Sequence, residues 1–272
     1  MKLCISNLAW RPADDASVYA SLARWGYDGV EIAPTRLFPE APYEHARELP
    51  PLVQMLRQQG LCMPSMQSLL YAHPEMMLFG SEESRRRMWD YLQRAVDFAA
   101  AGGIRNLVFG NPKNRFSHGA ASQERDIAHA FLTRLAQYAY ERGCVIGMEA
   151  NPPLYGCNYI TRTEEAFALC RAIGQPGLKV NLDLGTMLAN GEDINVLRGR
   201  VSEISHVHIS EPMLAPIRAS HEGLHRALIR FLREEGYEHY LSIEMLTPQT
   251  HPEPLSVLRE CAAYVSTLVN EQ

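Results

Sequence analysis

Lys179-Val180-Asn181-Leu182-Asp183-Leu184 is a run of strand length with a carboxylate, Asp183, next to its end. One unit later, Ile204-Ser205-His206-Val207-His208-Ile209 carries two imidazoles on one face, because alternate residues of a strand point the same way. Runs of the same length recur on either side of this pair, at 2–7, 29–33, 62–67, 106–110, 145–150 and 241–245. Several are continuously apolar, as expected of parallel strands covered on both faces. Between the runs lie stretches of helical spacing at 13–25, 44–59, 82–101, 123–142, 163–173, 193–199, 221–235 and 254–269. Gly26, Gly60, Gly102-Gly103, Gly143, Gly174 and Gly236 follow helical stretches, where a residue in the left-handed conformation commonly ends a helix. Ser81-Glu82-Glu83-Ser84 and Thr161-Arg162-Thr163-Glu164 read as helix starts, with a capping hydroxyl and acids in the first turn.

Eight strands alternating with eight helices over 272 residues predict an α/β fold, a (β/α)8 TIM barrel forming one domain over 1–272. A doubly wound sheet would carry a glycine-rich phosphate loop after its first strand. Here that strand runs into Asn7-Leu8-Ala9-Trp10-Arg11-Pro12, without Gly-x-Gly. No internal repeat or Pro/Ser linker divides the chain.

Hydrophobic residues make up 46% and charged residues 21%, the balance of a globular chain with a sizeable core. With 26 Lys+Arg against 31 Asp+Glu, the net charge is −5, which argues against broad electrostatic binding to nucleic acid or an anionic membrane. No apolar run is long enough to cross a bilayer. The first residues reach Arg11 and Pro12 too soon for a secretory signal, so the chain is read as cytoplasmic. Six scattered cysteines without a Cys-x-x-Cys pair read as reduced, mostly buried thiols.

In a barrel, residues at the C-terminal strand ends converge on one mouth. Four successive late strands supply Glu149, Asp183, His208 and Glu244, separated by 34, 25 and 36 residues, about one βα unit each. Any one of them alone has an ordinary explanation, an acid or imidazole paired locally. Four at equivalent heights point instead to a shared cation, since ionised carboxylates among apolar strand residues are costly unless paired or metal-bound. Three carboxylates and an imidazole suit one Mn²⁺, Mg²⁺ or Co²⁺, and Zn²⁺ also fits.

Other mouth positions read as substrate contacts: Trp10 after the first strand, Gln67 at the third and Asn151 after the fifth, with Asn7 and Glu31 nearby. In Asn111-Pro112-Lys113-Asn114-Arg115, the amide of Asn111 and the cations Lys113 and Arg115 are placed to receive a phosphate or carboxylate. His206 shares the face of His208 and either touches substrate or supports the site. His221 and His225 have helical spacing without the His-Glu-x-x-His pattern, and read as a helix-start or supporting pair.

The chain resembles the xylose isomerase-like barrels, a superfamily that includes sugar phosphate isomerases/epimerases, ketose 3-epimerases, hydroxypyruvate isomerases and inosose dehydratases. The resemblance covers nearly the whole length. It is carried by Gly26-Tyr27-Asp28-Gly29-Val30-Glu31-Ile32, Glu149-Ala150-Asn151-Pro152, Asn181-Leu182-Asp183-Leu184-Gly185-Thr186, His206-Val207-His208-Ile209-Ser210-Glu211, and Gly236-Tyr237 leading into Ser242-Ile243-Glu244. It implies that Glu149, Asp183, His208 and Glu244 ligate a single metal, with the two glutamates as acid and base. Ketose 3-epimerases carry a histidine where this chain has Thr186, an arginine where it has Leu214 and a glutamate where it has Tyr155. Of that substrate-contacting set, Glu211 matches. The expectation is a metal-dependent isomerase or epimerase of a sugar, sugar phosphate or keto-polyol, acting through an enediolate. The same-fold alternative is a keto-polyol dehydratase. An apurinic-site endonuclease, which shares the barrel, would need a basic DNA groove and further histidines. A non-catalytic sugar-binding barrel would have no use for a proton-transfer pair. The expected partner is a small carbohydrate, with homo-oligomerisation common among barrels.

Overall fold

The computed structural model describes residues 1–247 and 251–271. Eight parallel strands alternate with helices: β1 Lys2–Ser6, β2 Gly29–Glu31, β3 Ser65–Met66, β4 Asn106–Phe109, β5 Val145–Glu149, β6 Leu178–Asp183, β7 Ile204–Ser210 and β8 Tyr240–Glu244. Their order is β2-β1-β8-β7-β6-β5-β4-β3, and parallel bridges Gly29↔Cys62 and Ile32↔Met66 close the ring between β2 and β3. The result is a (β/α)8 TIM barrel. The helices are α1 Asp15–Leu22, α2 Pro34–Leu37, α3 Leu49–Gln58, α4 Glu82–Gly102, α5 Ala121–Tyr140, α6 Thr163–Ile173, α7 Leu184–Asn190, α8 Glu222–Glu234 and α9 Pro254–Asn270.

The longest helix shows how the sequence encodes the outer layer. Ser81 caps α4 by accepting from the Ser84 amide at 3.1 Å, with Glu82 and Glu83 in the first turn. Met88, Leu92, Ala95, Val96 and Ala99 then recur at helical spacing and are buried, and Gly103 (φ 69°) ends the helix in the left-handed conformation.

Three segments differ from the sequence reading for local reasons. The strand expected over 62–67 shrinks to β3, because Pro64 has no N–H to give a ladder. The helix expected over 44–59 divides into a 3-10 segment, Pro42–Glu48, and α3, whose first turn takes Pro50 and Pro51. The helix expected at 193–199 is only a 3-10 turn, Ile194–Leu197, since α7 already starts at the end of β6, with Asp183 as its cap.

The bore is polar. Strands β7 and β2 are separated by β8 and β1, so the 3.0 Å contact from His208 Nε2 to Glu31 Oε1 crosses it. So do the hydrogen bonds from Asn106 Nδ2 to Asn181 Oδ1 (3.3 Å) and from Ser242 Oγ to Glu31 Oε2 (2.9 Å). An irregular step in the β6–β7 ladder skips Ser205, placing His206 opposite Asn181 and letting Ser205 donate to Asn106 at 2.7 Å. Buried polar groups are tolerable here because they satisfy one another. All six cysteines are free, and five are buried.

Gly177, just before β6, lies against the α5 backbone: a Cβ there would collide with the Ala136 carbonyl oxygen and come within 3.0 Å of Tyr140 Cβ. Gly177→Ala is therefore expected to lose about 1–3 kcal/mol of stability. A urea titration followed by circular dichroism should show an earlier midpoint; an unchanged midpoint would contradict this packing.

Candidate metal centre

Glu149 at the end of β5, His208 in β7 and Glu244 at the end of β8 meet at the C-terminal mouth. His208 Nδ1 lies 3.0 Å from Glu149 Oε1 and 3.2 Å from Glu244 Oε2, and one donor atom from each residue falls within 4.8 Å of the others. The imidazole is fully buried, whereas the Glu149 and Glu244 side chains keep 11% and 14% exposure. The two carboxylates are thus the accessible members of the cluster. Asn181 Nδ2 donates to Glu149 Oε1 at 2.8 Å, and Asn151 Nδ2 spans Gly110 O (2.8 Å) and Glu149 Oε2 (3.3 Å). A side chain at 110 would strike Glu149 Oε2, so glycine makes room for the carboxylate.

Asp183 stands beside this triplet. Its Oδ1 accepts from the Gly185 amide (3.1 Å) and from Ser210 Oγ; its Oδ2 accepts from the Thr186 amide (3.0 Å) and Oγ1 (2.8 Å). The same carboxylate therefore caps α7, a role its strand-end position hid in the sequence.

The other face of His208 explains Glu31. This carboxylate, fully buried, has Oε1 3.0 Å from His208 Nε2 and 3.3 Å from His206 Nε2, while Oε2 accepts from Ser242. Glu31, His206 and His208 also form a second group of ligand-type atoms within 4.8 Å. Its members are 0–1% exposed and sit side by side as a carboxylate between two imidazoles, so we assign it a supporting role. Glu31 fixes Nε2 as a donor and leaves Nδ1 to face the mouth, as carboxylates behind many metal-binding histidines do. The sequence signal was modest: an acid in an otherwise apolar strand.

Electrostatics follow from this crowding. Burial opposes charge on His208, but Glu31 and Glu244, with the hydrogen bond to Glu149, outweigh it and hold the imidazole pKa well above its usual value. Burial raises Glu244 to about 7, with Glu149 and Asp183 adding to the rise against the pull of His208. Burial, reinforced by Glu149, also raises Asp183. Burial opposes charge on Glu31 too, yet His208 and His206 hold it well below the carboxylate range. Burial lowers His206. Protons thus offset the negative charge at the mouth, and a divalent cation fits the same donor set.

Several expected substrate contacts are engaged by internal partners. Trp10 is buried, its Nε1 donating to Asp15 at 2.7 Å and its ring edge-on to Tyr19; it packs α1 rather than facing the mouth. Arg115 is fully buried with Nη1 against Phe109 O (3.3 Å) and Met148 Sδ (3.8 Å). Met148 alternates with Glu149, so Arg115 lies behind the barrel wall and is removed from the expected anion-binding loop. Asn111 turns back onto the Lys113 amide at 3.3 Å, leaving Lys113 exposed. Gln67 is buried and donates to Ser6 at 2.8 Å. Glu211 Oε2 meets His221 Nδ1 at 2.6 Å and its Oε1 lies 3.6 Å from His225 Nε2, so the two histidines address Glu211 rather than the triplet. The Tyr155 phenol is raised by burial and by the nearby Asp183, Glu244 and Glu149, and accepts from the Met213 amide at 2.8 Å.

A family model described as xylose isomerase-like TIM barrel matches residues 19–263. The chain belongs to the xylose isomerase-like TIM barrel family. Among solved structures, this xylose isomerase-like barrel is similar to 3-keto-D-glucoside 4-epimerase from E. coli, with 19% identity, TM-score 0.79, and 98% of this chain and 99% of that one covered. It is also similar to D-psicose 3-epimerase, crystallised in the presence of D-fructose (14%, TM-score 0.79, 100% of both chains), and to the IOLI protein with a binding zinc atom (17%, TM-score 0.75, 100% of both). No curated protein matches it in sequence.

If Glu31 orients His208, Glu31→Gln should weaken Mn²⁺ binding about 10–100-fold with the fold intact; unchanged affinity by titration calorimetry would refute that role. Because His208 and Glu244 hold protons near neutrality, metal uptake at pH 7 should release about one to two protons and tighten as pH rises from 6 to 8. Calorimetry in buffers of differing ionisation enthalpy reads this directly, and pH-independent binding without proton release would contradict it.

Proposed function

We propose that the protein is a divalent-metal-dependent isomerase or epimerase of a sugar, sugar phosphate or keto-polyol. The observation that carries the reading is the mouth triplet of Glu149, His208 and Glu244, two partly accessible carboxylates on either side of one imidazole Nδ1. Glu149, His208 through Nδ1 and Glu244 would hold the cation, with Asp183 as fourth ligand in place of one of the four hydrogen bonds its carboxylate accepts. When bound, the cation supplies Lewis-acid stabilisation to a substrate carbonyl and its neighbouring hydroxyl.

Glu149 and Glu244 lie on strands three apart in the ring and approach a central substrate from different sides. One carboxylate removes the proton from the carbon beside the carbonyl, giving an enediolate. Return of a proton to the opposite face of that carbon is epimerisation; return to the adjacent carbon is isomerisation. Glu244, raised to about 7, holds a proton near neutrality and is suited to exchange it. Asn151 and Asn181 keep Glu149 in one orientation. His206 acts behind the site through Glu31. Exposed Tyr71, Phe116, Leu154, Met213 and Leu246, on loops following the strands, offer apolar surface to the C–H face of a sugar.

The positions that depart from the ketose 3-epimerase pattern have other tasks. The Thr186 hydroxyl lies 2.8 Å from Asp183 Oδ2 and 3.0 Å from Ala150 O; Tyr155 Oη accepts from the Met213 amide; Leu214 O accepts from the Leu246 amide at 2.9 Å. They tie mouth loops together instead of presenting hydroxyl-binding groups. The substrate is accordingly expected to differ from a free ketose of that kind.

The test is deuterium uptake from D₂O into a panel of ketoses, keto-polyols and their phosphates with added Mn²⁺. Exchange at one carbon, lost in Glu149→Gln and in Glu244→Gln, is the expected result. Loss of a β-hydroxyl from the exchanging compound would reassign the reaction as a dehydration, and exchange that survives both substitutions would overturn the acid–base pair.

A further inference from the structure

The end of the barrel opposite the mouth holds a cavity of about 560 Å³. Lys2 at the start of β1, Arg105 just before β4 and Lys179 in β6 line it, against one carboxylate, Glu238. In a chain of net charge −5, this is a local reversal of sign. Among the described residues none of the three cations makes an ion pair, and the Arg105 guanidinium has no hydrogen-bond partner; Lys179 Nζ donates to the Ser202 carbonyl at 2.8 Å. Unpaired cations facing one concavity repel one another, and an anion placed between them relieves that repulsion. Ser205 and Tyr240 also line the wall, their hydroxyls engaged by Asn106 Oδ1 (2.7 Å) and Cys62 Sγ (3.0 Å), and the floor includes His206, which is 1% exposed and whose Nε2 faces Glu31 Oε1 at 3.3 Å. His206 and Glu31 stand between this cavity and His208.

From this geometry we infer that the N-terminal face of the barrel is a second binding site, for a small phosphate-bearing molecule, separate from the mouth. Arg105 supplies a planar fork suited to phosphate oxygens, and Lys2 and Lys179 supply point charges beside it. The cavity exceeds what inorganic phosphate alone fills and lies within the size range of small-molecule sites. The inference does not rest on the activity proposed for the mouth.

Calorimetric titration of the metal-free full chain with inorganic phosphate, pyrophosphate and succinate, at fixed ionic strength, tests it. The wild type should bind pyrophosphate saturably, more tightly than phosphate or succinate. Arg105→Met combined with Lys179→Met should weaken pyrophosphate binding by about tenfold or more, equivalent to the loss of a charge-assisted contact. Arg105→Lys should keep most of it, and Lys113→Met at the mouth should leave it unchanged. All three positions are partly or fully exposed, so the variants are expected to fold, and coincident thermal transitions check this. Absence of saturable binding, or a loss confined to Lys113→Met, would overturn the site. Tighter binding of succinate would overturn its assignment to phosphate.

Discussion

A single imidazole with a carboxylate on each side is the constraint around which this barrel is organised. His208 is buried, faces Glu31 through Nε2 and faces Glu149 and Glu244 through Nδ1. Sinking that much negative charge into a strand barrel is unfavourable unless positive charge accompanies it. Without a metal, protons on His208 and Glu244 meet the requirement. A divalent cation held by the mouth carboxylates and His208 Nδ1 would meet it as well, with Glu31 retaining the proton on Nε2. The polar bore is the structural counterpart: Asn181, Asn151, Ser242 and Gly110 hold or accommodate these carboxylates, in a place where barrels more often stack Val, Ile and Leu.

Much of this was legible in the sequence because barrel topology turns regular spacing into proximity. Glu149, His208 and Glu244 come together as their strand-end positions require, since residues one βα unit apart arrive at one height. What stayed hidden was local direction. Asp183 is both a strand end and a helix cap, and no spacing rule separates these roles. Arg115 follows a strand as a mouth residue should, yet a 3-10 turn at Pro112–Arg115 swings it behind the wall beside Met148. Trp10 is drawn onto α1 by Asp15. In each case a short-range hydrogen bond or packing contact decides where a loop side chain goes, and periodicity carries no information about that.

The two ends of the barrel are built differently. At the mouth, carboxylates dominate and the loops are laced together through Tyr155, Met213, Leu214 and Leu246. At the base, cations gather around a cavity whose floor is His206. The imidazole pair of β7 thus spans the bore, with His208 serving one end and His206 abutting the other, and Glu31 bridging them.

The most direct measurement is anomalous diffraction from crystals grown with Mn²⁺. The account predicts one strong peak at the mouth, within bonding distance of Glu149, Asp183, His208 Nδ1 and Glu244. A peak between Glu31, His206 and His208 Nε2 instead, or none at the mouth under saturating metal, would contradict it.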